Sequence, residues 1–170
     1  YNSRYCNPMV SGTAFLTNTA SEKGGAVLNV RNAPVFSYCK FEENNVTSVG
    51  VNDGGGAIYN STSVATEGPT ISYCFFYANS VSSTSKGGAV FSYLNPGKIN
   101  ISHCTFNNNT AQYGGALFHN SGSDINRDAS NVQINNSTFE ENNAMYGGAI
   151  FSDRHNTIVT SCKIRGNEAS

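Results

Sequence analysis

Cys104-Thr105-Phe106-Asn107-Asn108-Asn109, then Thr110-Ala111-Gln112-Tyr113, then Gly114-Gly115-Ala116-Leu117, is the stretch from which the fold can be read, because the chain writes it repeatedly. Phe-x-x-Asn occurs at Phe15–Asn18, Phe41–Asn44, Phe76–Asn79, Phe106–Asn109 and Phe139–Asn142. Each copy is followed by Gly-Gly-Ala and an aliphatic residue, starting at Gly24, Gly55, Gly87, Gly114 and Gly147 and closing at Val27, Ile58, Val90, Leu117 and Ile150. A degenerate sixth copy, Ile164-Arg165-Gly166-Asn167, has no glycine pair after it. The motifs hold their order while the segments between them change length, as loops do on a scaffold of stacked repeats.

Working outward, the unit lengthens to an apolar residue, two others, Cys, one other, Phe, two others and Asn. It reads Phe36 to Phe41, Ile71 to Phe76, Ile101 to Phe106, Ile134 to Phe139 and Val159 to Ile164, with Ser137 in place of Cys in the fifth copy. Ile99 and Ile101, or Val132 and Ile134, alternate with polar residues as a strand with one buried face does. Cys104 and Phe106 alternate on the opposite parity, so a corner or bulge near Ser102 and His103 must re-aim the chain, since one extra residue flips every later side chain. A further strand follows each glycine pair, where Gly and Ala permit close backbone approach. Three short strands per unit give one rung of a parallel β-helix, about five to six rungs in all, with residues 1–170 forming a single segment.

The recurring asparagine then has a structural task. Asn tolerates left-handed backbone and can bond the equivalent Asn one rung away. Asn18, Asn44, Asn79, Asn109, Asn142 and Asn167 are therefore expected to stack as an internal ladder at one corner. Cys39, Cys74, Cys104 and Cys162 share one address and form a column, either of buried thiols or of disulfides between adjacent rungs, such as Cys39 with Cys74 or Cys74 with Cys104; rungs about 4.8 Å apart permit either. Cys6 lies outside the column.

Composition narrows the function classes. Charged residues are 12% of the chain and the net charge is −1, so no basic surface points to nucleic acid. No apolar stretch has the length of a transmembrane helix, and no charged-then-apolar secretory segment stands in these residues, as expected of an interior or processed piece. With no Cys-x-x-Cys pair, and with His103, His119 and His155 outside metal-finger spacing, neither a metal nor another cofactor is expected. Asn, Ser, Thr and Gly in such number disfavour helix.

The five ordered pairs of Phe-x-x-Asn and Gly-Gly-Ala-Ile/Leu/Val resemble the repeat of the chlamydial polymorphic outer membrane proteins, over nearly the whole chain from Phe15 to Asn167. Similar repeats occur in surface proteins of protists. The resemblance implies a right-handed parallel β-helix, a passenger region displayed at the cell surface or outside the cell, and an adhesive role with no catalytic residues to carry over. The β-barrel that anchors such passengers is not part of the resemblance.

The reading of function that follows is an extracellular structural or adhesive β-helix repeat protein, displayed at a surface or assembled head to tail into a fibre. The sequence begins after one glycine pair and stops before another, so open strand edges are expected to accept further repeats or a second copy. A host-surface or glycan ligand is the other partner class. The alternative is a carbohydrate-active β-helix enzyme, a polysaccharide lyase or hydrolase, which needs converging carboxylates. Glu42-Glu43 and Glu140-Glu141 share repeat positions three rungs apart, about 14 Å, which is too wide for such a pair. Asp124, Arg127 and Asp128, and Asp153, Arg154 and His155, are read as solvated loop residues, so no enzymatic activity is expected. N-glycosylation sequons stand at Asn45, Asn60, Asn100, Asn108, Asn135 and Asn136; in a eukaryotic source Asn100, Asn60 and Asn45 are the preferred sites. Contact surfaces are expected on the longer connections Val49–Gly54, Ser61–Gly68, Ser80–Lys86 and Asn120–Asn131.

Overall fold

Each repeat closes one rung, and the rungs stack in register. The computed structural model describes residues 2–3, 7–31, 33–61, 67–93, 98–120, 131–154 and 156–170. Cys6, Asp124, Arg127, Asp128, His155 and most of the Ser61–Gly68 and Asn120–Asn131 connections lie outside the described residues. Among the described residues, twenty-four short strands form four parallel sheets of six strands each.

Sheet I holds Met9–Ser11, Val35–Ser37, Glu67–Ser72, Lys98–Ser102, Asn131–Asn135 and Asn156–Thr160. Sheet II holds the Phe strands, Ala14–Leu16, Lys40–Glu42, Phe75–Tyr77, Thr105–Asn107, Thr138–Glu140 and Lys163–Arg165. Sheet III follows the ladder Asn, at Thr19–Ala20, Asn45–Val46, Ser80–Val81, Thr110–Tyr113, Asn143–Tyr146 and Glu168–Ala169. Sheet IV follows the glycine pair, at Asn2–Ser3, Val27–Val30, Ile58–Ser61, Val90–Tyr93, Leu117–Asn120 and Ile150–Asp153.

A rung therefore has four strands, not three. Sheet III was hidden because in four of its six strands it has only two residues, such as Asn45-Val46 or Ser80-Val81, too few to show a period of two. Ser80 and Val81 accordingly belong to the scaffold and not to an outward loop, and Val81 is buried beside Val46 and Ala111.

Three left-handed corners join the four strands. Between sheets I and II the corner residue is Gly12, Tyr38, Tyr73, His103, Asn136 or Ser161, with φ from 48° to 60°. This is the parity reset expected at His103. Between sheets II and III it is Thr17, Glu43, Ala78, Asn108, Glu141 or Gly166, each with φ between 51° and 61°. The left-handed residue thus precedes the ladder Asn and is not the Asn itself, because a side chain that must point inward from a strand start cannot also occupy the turn. The third corner is the first glycine of each pair, as at Gly55 with φ 67°. The second glycine is required by proximity: a Cβ on Gly56 would lie 2.1 Å from the Gly88 carbonyl oxygen of the next rung.

The main core runs up the axis. Phe15, Phe41, Phe76, Phe106 and Phe139 stack face to face at 4.6–4.8 Å, with ring planes within 5° of parallel. Phe41, Phe76, Phe106 and Phe139 are fully buried together with Ile58, Ile71, Val90, Ile101 and Leu117. A second cluster, Tyr59, Phe91 and Phe118, lies on the outer face of sheet IV. It is covered by the Val49–Gly54 and Ser82–Lys86 segments: a Cβ on Gly54 would touch Phe91 at 2.9 Å, and the Lys86 ammonium stands 5.1 Å from the Phe118 ring centre. These connections fold back as a lid over apolar rings instead of simply bulging into solvent.

Candidate functional site

The recurring polar residues are consumed by stacking. From Asn44 to Asn167, each ladder Asn accepts at Oδ1 from the backbone N–H of the preceding ladder Asn at 3.0 Å and from that residue's Nδ2 at 2.8–3.0 Å. Its own Nδ2 also donates to the Phe carbonyl one rung back, as Asn79 does to Phe41 at 3.0 Å and Asn109 to Phe76 at 3.1 Å. Asn44, Asn79, Asn109 and Asn142 are fully buried, and Asn18 and Asn167 end the ladder nearer solvent. A buried amide with its donors and acceptors matched in this way carries no desolvation penalty and fixes register, since a slipped rung would break all the bonds together.

The cysteine column is present as thiols. Cys39, Cys74 and Cys104 are buried and Cys162 is half-buried, all four unbridged. The thiols donate back to carbonyls two residues earlier, Cys39 to Ser37 at 3.3 Å and Cys104 to Ser102 at 3.2 Å, and Ser137 does the same to Asn135 at 2.9 Å. Burial pushes the Cys39 thiol up. Ser137 can replace Cys because its hydroxyl also accepts the Cys104 N–H at 3.1 Å.

The sequons separate by position. Asn60 is 1% exposed, points inward and accepts from Asn29 Nδ2 at 2.8 Å, in a row with Ser92 and His119. Its placement corrects the expectation of a glycan there, since no route leads from that amide to solvent. Sequence alternation failed at this point because the inward row of sheet IV is polar at its end. Asn45, Asn100 and Asn135 are half-buried, Asn45 accepting from Ser80 at 3.1 Å, whereas Asn108 and Asn136 sit exposed on left-handed corners.

The carboxylates do not converge. Glu42 on sheet II pairs with Lys40 at 2.5 Å, and Glu140 pairs with Lys163 at 2.7 Å and Arg165 at 3.2 Å. The Lys163 hydrogen bond leads in holding the Glu140 carboxyl below its usual range. Asp53 is held by Ser48 and Lys23, and Asp153 lies at the end of sheet IV accepting from Asn120 at 2.6 Å. Among the described residues no group of His, Cys, Asp and Glu is arranged to hold a metal ion, and no helix is long and apolar enough to cross a membrane.

What the scaffold leaves over is a strip of outward rings. Tyr38, Tyr73 and His103 occupy the same left-handed corner on three rungs and stack at 4.9 and 4.6 Å, with planes 9° and 13° apart. Phe75 and Tyr77 continue outward along the adjoining strand, their rings parallel at 6.0 Å. Tyr38 is 64% exposed, Tyr73 49% and Phe75 37%. A bulky residue in left-handed backbone costs about 1–2 kcal/mol, whereas Gly12 and Asn136 hold the same corner more cheaply in rungs one and five. The fold therefore does not demand aromatic rings here. Their signal was in the sequence: Tyr, Tyr and His each stand immediately before a column Cys.

Residues 103–120 and 136–153 match the model of the Chlamydia polymorphic membrane protein repeat. Each match starts on the first left-handed corner and runs through sheets II, III and IV, and the rungs containing Phe41 and Phe76 repeat the same bonds in the same order. No curated protein and no solved structure matches the chain. The solenoid and the two places at which the chain matches the Chlamydia polymorphic membrane protein repeat together fit a surface-type repeat protein.

Proposed function

We propose that the chain is a segment of a surface-displayed β-solenoid with a structural and adhesive role, and that it makes contact through the ring strip of Tyr38, Tyr73, His103, Phe75 and Tyr77. The observation that carries this reading is the exposed aromatic column at corners that glycine or asparagine would fill with less strain. Aromatic side chains bring large contact area at low entropic cost, and exposed clusters of them mark interaction surfaces. The neighbouring charges are paired, Lys40 with Glu42, so the strip favours contact by shape and ring stacking over long-range attraction.

Two measurements test it. A membrane-impermeant amine reagent on intact source cells should label Lys40 and Lys163, whose side chains are 49% and 56% exposed; labelling only after permeabilisation refutes surface display. Beads coated with the chain should be retained on host cell monolayers, and Tyr38→Ser/Tyr73→Ser/Phe75→Ser should lower retention by about tenfold, as loss of an aromatic hot spot does. Unchanged retention of that variant refutes the strip as the contact.

A further inference from the structure

A second, chemically different site lies on the outer face of sheet IV, away from the ring strip. It is a groove of about 380 Å³, within the range of small-ligand pockets. Phe118, Phe151 and Tyr113 form its wall: Phe118 and Phe151 lie parallel at 5.5 Å, and Tyr113 meets Phe151 edge-on at 5.2 Å. The wall is stiff, because Tyr113 is also stacked on Tyr146 at 4.8 Å. Polar groups enter from three successive rungs, the Lys86 ammonium, the Gln112 amide and the Asp153 carboxylate. The backbone of Lys86 is pinned by bridges to Gly54 on one side and Tyr113 on the other, so its side chain leaves from a fixed point beside the groove.

We propose that this groove binds a saccharide bearing a carboxylate, with the ligand acid on Lys86, its hydroxyls on Asp153 and Gln112, and the apolar face of its ring on the half-buried Tyr113 and Phe151. Charge complementarity selects this ligand. Desolvation lowers the Lys86 pKa more than the Asp153 charge restores it, so the half-buried cation is under-compensated. Its nearest ring contacts, 5.1 Å to Phe118 and 6.0 Å to Tyr113, offer only weak compensation. Asp153 is engaged with Asn120 at 2.6 Å and with Arg154 at 3.7 Å, which leaves Lys86 short of a full counter-ion among the described residues. An incoming carboxylate supplies one. A bare carboxylate would leave the aromatic wall wet, and a neutral sugar would leave the cation unpaired; an acidic sugar meets both.

Saturation-transfer NMR and calorimetry on the full chain with galacturonic acid, N-acetylneuraminic acid, galactose and acetate decide the matter. One of the two acids should bind with Kd of about 1 mM or tighter, and which of them does identifies a uronic or a sialic source. Galactose and acetate should each bind at least about tenfold more weakly, the weight of one charge-assisted bond. Lys86→Gln should lose about tenfold, and Lys86→Arg should stay within about threefold. Both variants should unfold at the wild-type temperature, and Lys86→Arg keeps the test decisive if Lys86→Gln misfolds. Binding by neither acid, equal binding of galactose, or Lys86→Gln matching wild type would each overturn the assignment.

Discussion

Replacing Asn109 by alanine isolates what the ladder contributes. The substitution removes the Oδ1 that accepts the Asn79 N–H and the Asn79 Nδ2, both at 3.0 Å, and the Nδ2 that donates to Asn142 Oδ1 at 2.9 Å and Phe76 O at 3.1 Å. Asn142 Oδ1 keeps the Asn109 N–H, and Asn79 Nδ2 keeps the Phe41 carbonyl. Two buried donors on a fully buried neighbour are left stranded. At about 1–3 kcal/mol each, Asn109→Ala should cost about 4 kcal/mol, a large part of the 5–15 kcal/mol typical of a domain. Asn18→Ala is the control: Asn18 is exposed and only donates, so the change should cost under about 1 kcal/mol. Urea unfolding followed by far-ultraviolet circular dichroism reads both as shifts in midpoint at constant slope. Equal shifts for the two variants would refute the claim that the interior ladder is held by satisfied, desolvated bonds. Asn109→Asp sharpens the test. An ionised carboxylate there loses the donors and meets two acceptor oxygens, so its pKa is raised in the folded state. Stability should then be highest below the unfolded Asp value of about 4 and fall as pH rises through the raised folded value.

Phe41→Ala empties a site stacked between Phe15 and Phe76 and should lower stability by about 3–5 kcal/mol in the same assay; Phe15→Ala, at a half-buried end, should cost visibly less, and equal losses would contradict a core graded along the axis. Gly56→Ala drives a Cβ to 2.1 Å from Gly88 O and 2.6 Å from Ser80 O, whereas Gly12→Ala meets nothing within 4 Å. The first variant should fail to fold or expose dye-binding surface, and the second should lose only the left-handed cost of about 1 kcal/mol; the two would behave alike if the close rung contact were absent. Peptide-resolved thiol labelling should modify Cys162 first, with Cys39, Cys74 and Cys104 reacting only on unfolding, because burial keeps the Cys39 thiol protonated and all three are enclosed. Rapid labelling of Cys74 under native conditions would show that the column is open.

Phe, Asn, Cys and Gly at fixed addresses were enough to establish a stacked parallel solenoid, its axial aromatic core and its asparagine ladder. Those features repeat rung after rung, and any residue that must touch its own copy is forced to recur. The fourth strand was not legible, since in four of the six rungs it has two residues, which carry no period. Nor was the position of the left-handed corner one residue before the ladder Asn, where Thr17, Glu43, Ala78, Asn108 and Glu141 share a backbone conformation but no side-chain chemistry. Asn60 reads as a glycan acceptor in sequence and is an interior residue in space, because a polar inward row defeats alternation as a guide. The surface sites divide the same way. Tyr38, Tyr73 and His103 announce themselves by their shared place before cysteine, so sequence alone could align them, although only the stacked rings show them exposed. Lys86, Gln112, Phe118 and Asp153 come from different repeat addresses across three rungs and share no motif; Gln112, Phe118 and Asp153 are set by their strands, and Lys86 joins them through the connection that folds back over sheet IV. A repeat determines what must be identical from rung to rung, and tertiary structure decides what the differences between rungs bring together.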